Sequence, residues 1–401
     1  MRILMVHNRY RVRGGEDEVC DAERRLLQAH GHDVDLYEDH NDRLDQLNPV
    51  QSAVDSIWSR RTYTLVSQKL SEKKYDILHV HNFLPLISPS VYYAAQEKGV
   101  PVVQTLHNYR LLCPNALFFR QGSVCEDCLG KAVPLASIRH GCYRENRAAT
   151  GMVVAMNGIH RGLQTWTKQV DTYIALTEFV RQKYTEGGLP AEKIRVKPNF
   201  VDPDPGVGSG QGNYAIYVGR LSVEKGLDIL LSAWEKLGKR LPLKIVGDGP
   251  LSGMVEAAIA QNPQIEWLGR RPMQEVYDLI GEAQLLVFPS KWYETFGLVA
   301  IEAFAKGTPV VGADIGAISG LVEDYKTGLL FEASNAESLC DRIGWLLDNP
   351  KQLAMMRPLA RQQYEQKYTA EQNYLALLDI YTAAICTAAT RSTLSPAATA
   401  E

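Results

Sequence analysis

KWYETFGLVAIEAFAKGTPVV, Lys291 to Val311, joins a loop of charged and aromatic residues to a long apolar segment. Ahead of it, LLVFPS (285–290) is a short apolar run of strand length, and TPVV at its far end opens another. The residues between them are helical in pattern and apolar nearly all round: Leu298, Val299, Ala300, Ile301, Ala303 and Phe304. A strand, a loop, a buried helix and a second strand make one crossover unit of a parallel sheet covered on both faces. The loop KWYETFG then lies at the C-terminal end of its strand, where such sheets bind ligands.

Two glutamates stand out in this unit. Leu298, Ile301, Glu302 and Ala305 follow i, i+3, i+4, i+7 spacing, so Glu302 shares a face with apolar residues. An ionised carboxylate there is costly unless a donor meets it. The adjacent hydroxyls of a ribose are one such donor, and an arginine of the chain itself is another. Glu294 sits eight residues earlier, in the loop. The N–H groups of Phe296, Gly297 and Leu298 at the helix start lack intrahelical partners and point toward a ligand.

Outward from this unit the same alternation fills the chain. RILMVHN (2–8), DVDLYE (33–38), DILHVHN (76–82), PVVQTLH (101–107), VDTYIALT (170–177) and KIRVKPN (193–199) read as strands. EVCDAERRLLQAHG (18–31) reads as a helix stopped by Gly31. VDPDPGVGSGQGN (201–213) is the richest linker, and after it YAIYVGR, LKIVGDG, IEWLG and LLVFPS restart the strand pattern. The fold class is therefore α/β, with two doubly wound Rossmann-like domains. They are expected at 1–205, with a cysteine-containing basic segment at 108–145, and at 206–368. Helices at 369–390 follow, and a tail at 391–401 without core-forming residues reads as disordered.

Composition is that of an ordinary globular protein, 45% hydrophobic and 22% charged in 401 residues. Net charge is −3, which gives no sign of a nucleic-acid partner. Its distribution is uneven: residues 56–161 carry 13 basic and 6 acidic side chains. Such a segment fits an anionic acceptor or peripheral contact with anionic lipid, and equally a solvated helix face. The N-terminus has four apolar residues in a row, short of a signal-peptide core, and no run nears the length of a membrane span. The expected location is cytoplasmic, where the seven cysteines are thiols. Cys113, Cys125, Cys128 and Cys142 have a spacing that admits a structural zinc, though unlinked thiols fit as well.

Further candidates lie in loops that follow strands. Gly14 and Gly15, between the first strand and helix, let backbone approach an anion at a helix start; a plain tight turn is the alternative. Arg220 and Lys225 flank the first strand–helix turn of the second domain, a pair suited to a diphosphate; an ion pair with Glu224 is the alternative for Lys225. Asp33 and Asp35 form a D-x-D, but within a strand rather than after one.

Together these segments resemble the retaining glycosyltransferases of family 4, which have the GT-B fold. RILMVHN, RGGEDEV, QTLHNYR, KPNFVD, YVGRLSVEKGLDILL, IVGDGP, WLGRRP, YETFGLVAIEAFAKGTPVV and GLLFE carry the resemblance, in that order. Glu294 and Glu302 form its E-x7-E pair. The resemblance implies two domains facing each other across a cleft, with the final helices crossing back to the first. It implies a nucleotide-sugar donor, with UDP favoured over GDP, a glycan or lipid-linked acceptor, and no metal or other cofactor. Glu302 matches the residue that holds the ribose, and Arg220 and Lys225 the pair that neutralises the diphosphate. Backbone at Gly15 and at Phe296 to Leu298 assists. Glu294 matches the carboxylate holding the donor sugar, and His107 the cleft histidine beside it. Asn199 falls where the interdomain stretch borders the cleft, and Arg270 follows the strand whose loop meets the nucleobase. His107, Glu294, Arg220 and Lys225 are the expected catalytic residues. A hydrolase using both glutamates, an epimerase or phosphorylase of similar plan, and a non-catalytic sugar-nucleotide sensor are the rival readings.

Overall fold

The computed structural model describes residues 1–394, with side chains through residue 390. The chain divides into two compact units. Unit 1 comprises Met1–Ala116, Glu126–Lys197 and the segment from Tyr374 on; unit 2 comprises Leu117–Cys125 and Pro198–Asn373. The division thus falls at Lys197/Pro198, ahead of the expected 205, and the Pro/Gly-rich linker belongs to unit 2. Arg357 explains why: its guanidinium donates to the carbonyls of Gly208 and Gly281, tying the linker to that unit. Leu117–Cys125, inside the expected basic segment 108–145, also counts with unit 2.

Unit 1 has strands β1 (Arg2–Arg9), β2 (Asp33–His40), β3 (Ile77–Asn82) and β4 (Val102–Leu106). After the two-residue strands β5 (Phe119–Arg120) and β6 (Ser123–Val124), which pair as an antiparallel hairpin, come β7 (Thr172–Ala175) and β8 (Ile194–Val196). The six longer strands form one parallel sheet in the order β2-β1-β3-β4-β7-β8. Ile3, Leu4, Met5 and Val6 are all fully buried, as expected of a central strand covered on both faces. The order reverses between β1 and β3, so their C-terminal ends open a crevice for a ligand.

Unit 2 repeats the plan with β9 (Ala215–Val218), β10 (Leu243–Val246), β11 (Ile265–Gly269), β12 (Leu285–Phe288), β13 (Val310–Ala313) and β14 (Gly328–Phe331). Their order is β11-β10-β9-β12-β13-β14, all parallel, with the reversal between β9 and β12. The crevice of this sheet therefore lies where YVGRLSVEKG and KWYETFG leave their strands. The helix Leu298–Ala305 follows, with Gly297 before it at φ +113°. A Cβ at Gly297 would come within 2.8 Å of Ile318 Cδ1, so both backbone and space require glycine.

The final helix, Ala370–Leu394, lends unit 1 an apolar face made of Leu377, Ile380, Tyr381 and Ala384. These pack on Ile3, Met5, Leu27, Ile77, Val103 and Ile174. The spacing i, i+3, i+4, i+7 is that of one helix stripe. Residues 391–394, expected to be disordered, continue this helix, and 395–401 lie outside the described residues. Tyr381 is fully buried, and its hydroxyl lies 2.8 Å from His79 Nδ1. Replacing Tyr381 by alanine opens a cavity and removes that hydrogen bond, so the expected loss is about 3–5 kcal/mol. Urea unfolding followed by a probe in unit 1 measures it.

Candidate active site

In unit 2 the site forms around Glu294. Its Oε1 accepts hydrogen bonds from Lys225 Nζ (2.6 Å), Ser290 Oγ (2.8 Å) and Trp292 Nε1 (2.9 Å). Lys225 also lies 5.4 Å from the centroid of the Trp292 ring. Two residues expected in separate roles are thus brought into direct contact. The ion-pair alternative for Lys225 holds in kind but with another partner: Glu224 instead accepts from Ser222 Oγ. Sequence reasoning missed Ser290 and Trp292, whose positions beside a loop glutamate give no periodic signal.

The turn that carries Lys225 is locked to the Glu294 loop. The Lys291 N–H donates to the Glu224 carbonyl at 2.8 Å, and Lys291 Nζ pairs with Asp228 at 2.8 Å. Gly226 adopts φ +70°, and a Cβ there would stand 1.9 Å from the Pro289 carbonyl oxygen. Glycine is required because the two loops touch backbone to backbone.

Arg220 is exposed and has no side-chain partner among the described residues. The N–H groups of Phe296, Gly297 and Leu298 have no backbone acceptor among the described residues. The rim of this crevice therefore carries one free guanidinium, one ammonium held by Glu294, and a helix start that favours anions. Arg270 is exposed near Asp248, 3.8 Å away. Asn199 is buried, and its Oδ1 has no hydrogen-bond partner among the described residues.

Glu302 lies on the helix that starts there, partly buried between Ile301 and Ala303, which are fully buried. No ion pair or side-chain hydrogen bond meets it among the described residues. Desolvation raises its pKa to about 7. The arginine partner allowed by the sequence is not found among the described residues.

In unit 1, Gly14 caps the helix Gly15–Ala29, and its N–H is taken by Asp17 at 2.9 Å. That first turn already holds Glu16, Asp17 and Glu18, which compete with any external anion. Three arginines of the loop are also engaged: Arg9 with Asp21 and Glu38, Arg11 with Asp45, and Arg13 with Glu18 and Asp21. Asp33 and Asp35 of the D-x-D pair with Arg2 and Lys73. Of the four cysteines considered for zinc, Cys125 lies in unit 2 and the other three in unit 1.

His107 lines a cavity of about 190 Å³ in unit 1, built from the loops after β1, β2, β3 and β4. Its Nε2 lies 3.0 Å from His81 Nδ1. Behind it runs a buried polar group: His81 Nε2 is 3.5 Å from Glu23 Oε2, and Glu23 Oε1 accepts from Lys197 Nζ. His79 is bonded through both ring nitrogens, to Tyr381 and Thr105, each at 2.8 Å. Glu23, His79 and His81 are close enough to hold an ion. The Lys197 ammonium on Glu23 and the engaged ring of His79 instead fit a hydrogen-bonded core. The repeat His79-Val80-His81 in a strand, placing both rings on one face, was the available signal.

Burial lowers the pKa of His79 to about 4 and pushes His81 and His107 well below the usual histidine range. These rings are neutral when folded, whereas the unfolded chain protonates them near pH ~6.5. Their stabilising contribution is whole above that pH and falls as pH drops toward the folded values. For His79 alone the expected loss at pH 5 is about 2 kcal/mol. Urea midpoints measured from pH 7.5 to pH 5 test this, and His79→Gln flattens the slope.

Residues 13–205 match the family model Glycosyltransferase Family 4, and residues 205–363 match Glycosyl transferases group 1. In these two stretches the chain is similar to the glycosyltransferases that the models describe. D-inositol 3-phosphate glycosyltransferase of Nocardia farcinica is 30% identical over 285 residues, 63% of this chain and 62% of that protein. The match thus spans less than two thirds of that relative's length. Sucrose-phosphate synthase of Thermosynechococcus elongatus superposes with a TM-score of 0.71 at 17% identity, covering 96% of this chain and 99% of that one. HepE of Anabaena, solved with UDP-glucose, gives 0.65 at 20% identity, covering 97% and 100%. The chain therefore has the GT-B fold, with one six-stranded parallel sheet in each unit. Among the described residues, no helix is long and apolar enough to cross a membrane.

Proposed function

We propose that the chain is a retaining, metal-independent glycosyltransferase that moves a hexosyl group from a nucleoside diphosphate sugar, a UDP-sugar by preference, to a glycan or lipid-linked acceptor. The observation that carries this reading is Glu302, a desolvated carboxylate without a protein donor, eight residues beyond a Glu294 held by Lys225. A ribose diol supplies the two O–H donors that Glu302 lacks. HepE, solved with UDP and with UDP-glucose, supports the donor class.

In the proposed reaction the bond from the sugar C1 to the β-phosphate oxygen breaks as the acceptor oxygen bonds to C1 on the same face. The acceptor's proton passes to the departing phosphate oxygen. Arg220, Lys225 and the N–H groups at Phe296 to Leu298 meet the charge that grows on the diphosphate. Glu294 holds the sugar hydroxyls and steadies positive charge at C1, and His107 is the histidine proposed to act beside the sugar. Asn199, Arg270 and the backbone of Gly15 complete the donor site. We place the reaction in the cytoplasm at the inner face of a membrane, in polysaccharide assembly, from the basic excess of residues 56–161.

The test incubates the full chain with UDP-glucose, UDP-galactose, UDP-N-acetylglucosamine and GDP-mannose, a panel of acceptors, and EDTA. Nucleoside diphosphate release and the anomeric configuration of the product are read by NMR. Transfer with retained configuration, undiminished by EDTA, is expected. An inverted product or loss of activity with EDTA contradicts the mechanism.

A further inference from the structure

The unit 1 cavity has a charge pattern that the donor chemistry does not use. Two arginines, Arg110 and Arg144, line it, and no aspartate or glutamate does. Neither guanidinium has an ion pair among the described residues. Both are drawn to one ring instead: Arg110 Cζ lies 4.8 Å and Arg144 Cζ 5.3 Å from the centroid of Tyr143. Two like charges gathered on one aromatic ring repel each other, and a cation–π contact offsets only part of that. Arg144 and its neighbour Glu145 both sit at φ +53°, a conformation that non-glycine residues rarely adopt. Arg110 is further fixed by donating to the Pro114 carbonyl.

The remaining groups offset only part of this positive charge. Glu16 is the carboxylate that interacts with Arg110, but its oxygens already accept from Asn108 Nδ2 at 2.6 Å and Tyr10 OH at 2.9 Å. His81 and His107 in the wall are held neutral by burial. A cavity of 190 Å³ has room for about six water molecules, the scale of a small polar headgroup. Two guanidiniums with fork-like donor geometry suit a phosphate, which bears one negative charge as a diester and up to two as a monoester and accepts bidentate hydrogen bonds.

We propose that this cavity is the acceptor site and that it takes a phosphate ester, with Arg110 and Arg144 as counter-charges and the acceptor hydroxyl toward His107. The proposal rests on the transferase reading and adds the class of acceptor. The phosphate belongs either to a soluble sugar or polyol phosphate or to a phospholipid headgroup.

Calorimetry separates these sources and separates the proposal from its premise. The full chain is titrated with fructose 6-phosphate, myo-inositol 1-phosphate, fructose and myo-inositol, and floated with vesicles of phosphatidylcholine containing phosphatidylinositol or none. UDP is titrated in parallel. We expect at least tenfold tighter binding of a phosphorylated probe than of its parent, weakening with added salt, or flotation only with phosphatidylinositol. The first outcome assigns a soluble acceptor and the second a lipid. R144Q, at an exposed position, is expected to weaken either by at least tenfold while UDP affinity holds. R110K keeps the charge but loses the fork, and is expected to lie between. UDP binding with no preference for phosphorylated probes or anionic vesicles overturns the acceptor proposal alone. Unchanged phosphate affinity in R144Q also overturns it. Failure of UDP to bind overturns the transferase reading instead.

Discussion

Replacing Glu302 by glutamine is expected to stabilise the ligand-free protein at pH 8 while weakening nucleotide binding. Both effects have one cause. Glu302 has a folded pKa of about 7, above the ordinary 4.5 of a glutamate, because burial removes water and no donor among the described residues replaces it. A carboxyl group whose pKa rises on folding binds a proton more readily in the folded state. Its contribution is therefore most favourable below pH ~4.5 and is lost as pH rises through about 7. Above that pH the ionised side chain destabilises the protein by about 2 kcal/mol, with partial exposure taken into account. Glutamine has no charge to desolvate, so the variant gains stability at pH 8, and the gain vanishes near pH 5. Binding changes in the opposite sense. The ionised carboxylate accepts charge-assisted hydrogen bonds from the ribose diol, worth about 1.5–3 kcal/mol, which predicts a loss of roughly ten- to a hundredfold. Wild-type affinity falls as pH drops through about 7. Glutamine removes that component, while protonation of the nucleotide itself affects both proteins alike. Chemical denaturation and nucleotide titration at pH 5 and pH 8 measure the two halves.

Lys225→Ala is expected to lower kcat by about 10²–10³, or ~2.7–4 kcal/mol in the barrier. In the ligand-free protein Lys225 faces Glu294 at 2.6 Å, so each charge is met by the other. The diphosphate of a donor offers Lys225 a stronger partner, and Glu294 keeps Ser290 and Trp292 when the ammonium turns away. Removing the lysine leaves the growing leaving-group charge to Arg220 and the helix start. Folding changes much less, because the ammonium is partly exposed and such a pair contributes about 0.2–1 kcal/mol. Steady-state kinetics with thermal denaturation as control distinguish a loss in kcat from a loss of fold. Lys225→Arg keeps a cation and is expected to recover part of the rate.

The fold was legible because period and length agree in each segment. Leu285–Phe288 of LLVFPS form β12, the apolar segment forms the helix Leu298–Ala305, and the two valines of TPVV open β13, as their pattern predicts. The i, i+3, i+4, i+7 spacing placed Glu302 on a largely apolar helix, and no donor among the described residues meets it there. What the sequence did not reveal depends on contacts between distant segments. Lys225 meets Glu294 across 69 residues, and Lys197 meets Glu23 across 174, distances that no local periodicity encodes. The compact units divide at Lys197/Pro198 rather than at 205, where the two family models meet, for a related reason. Proline and glycine mark where a chain turns, while Arg357 decides to which unit the turn is tied. The arginines on Tyr143 were also hidden, because a charged loop reads the same whether its side chains converge or disperse.

The central claim is that unit 2 holds a nucleoside diphosphate between Glu302 and the cations Arg220 and Lys225. Calorimetric titration of the full chain with UDP, beside Glu302→Gln, tests it most directly. A single saturable site in the wild type, weakened at least tenfold in the variant at pH 8, is the predicted result. Equal UDP affinity in the two proteins would contradict the claim.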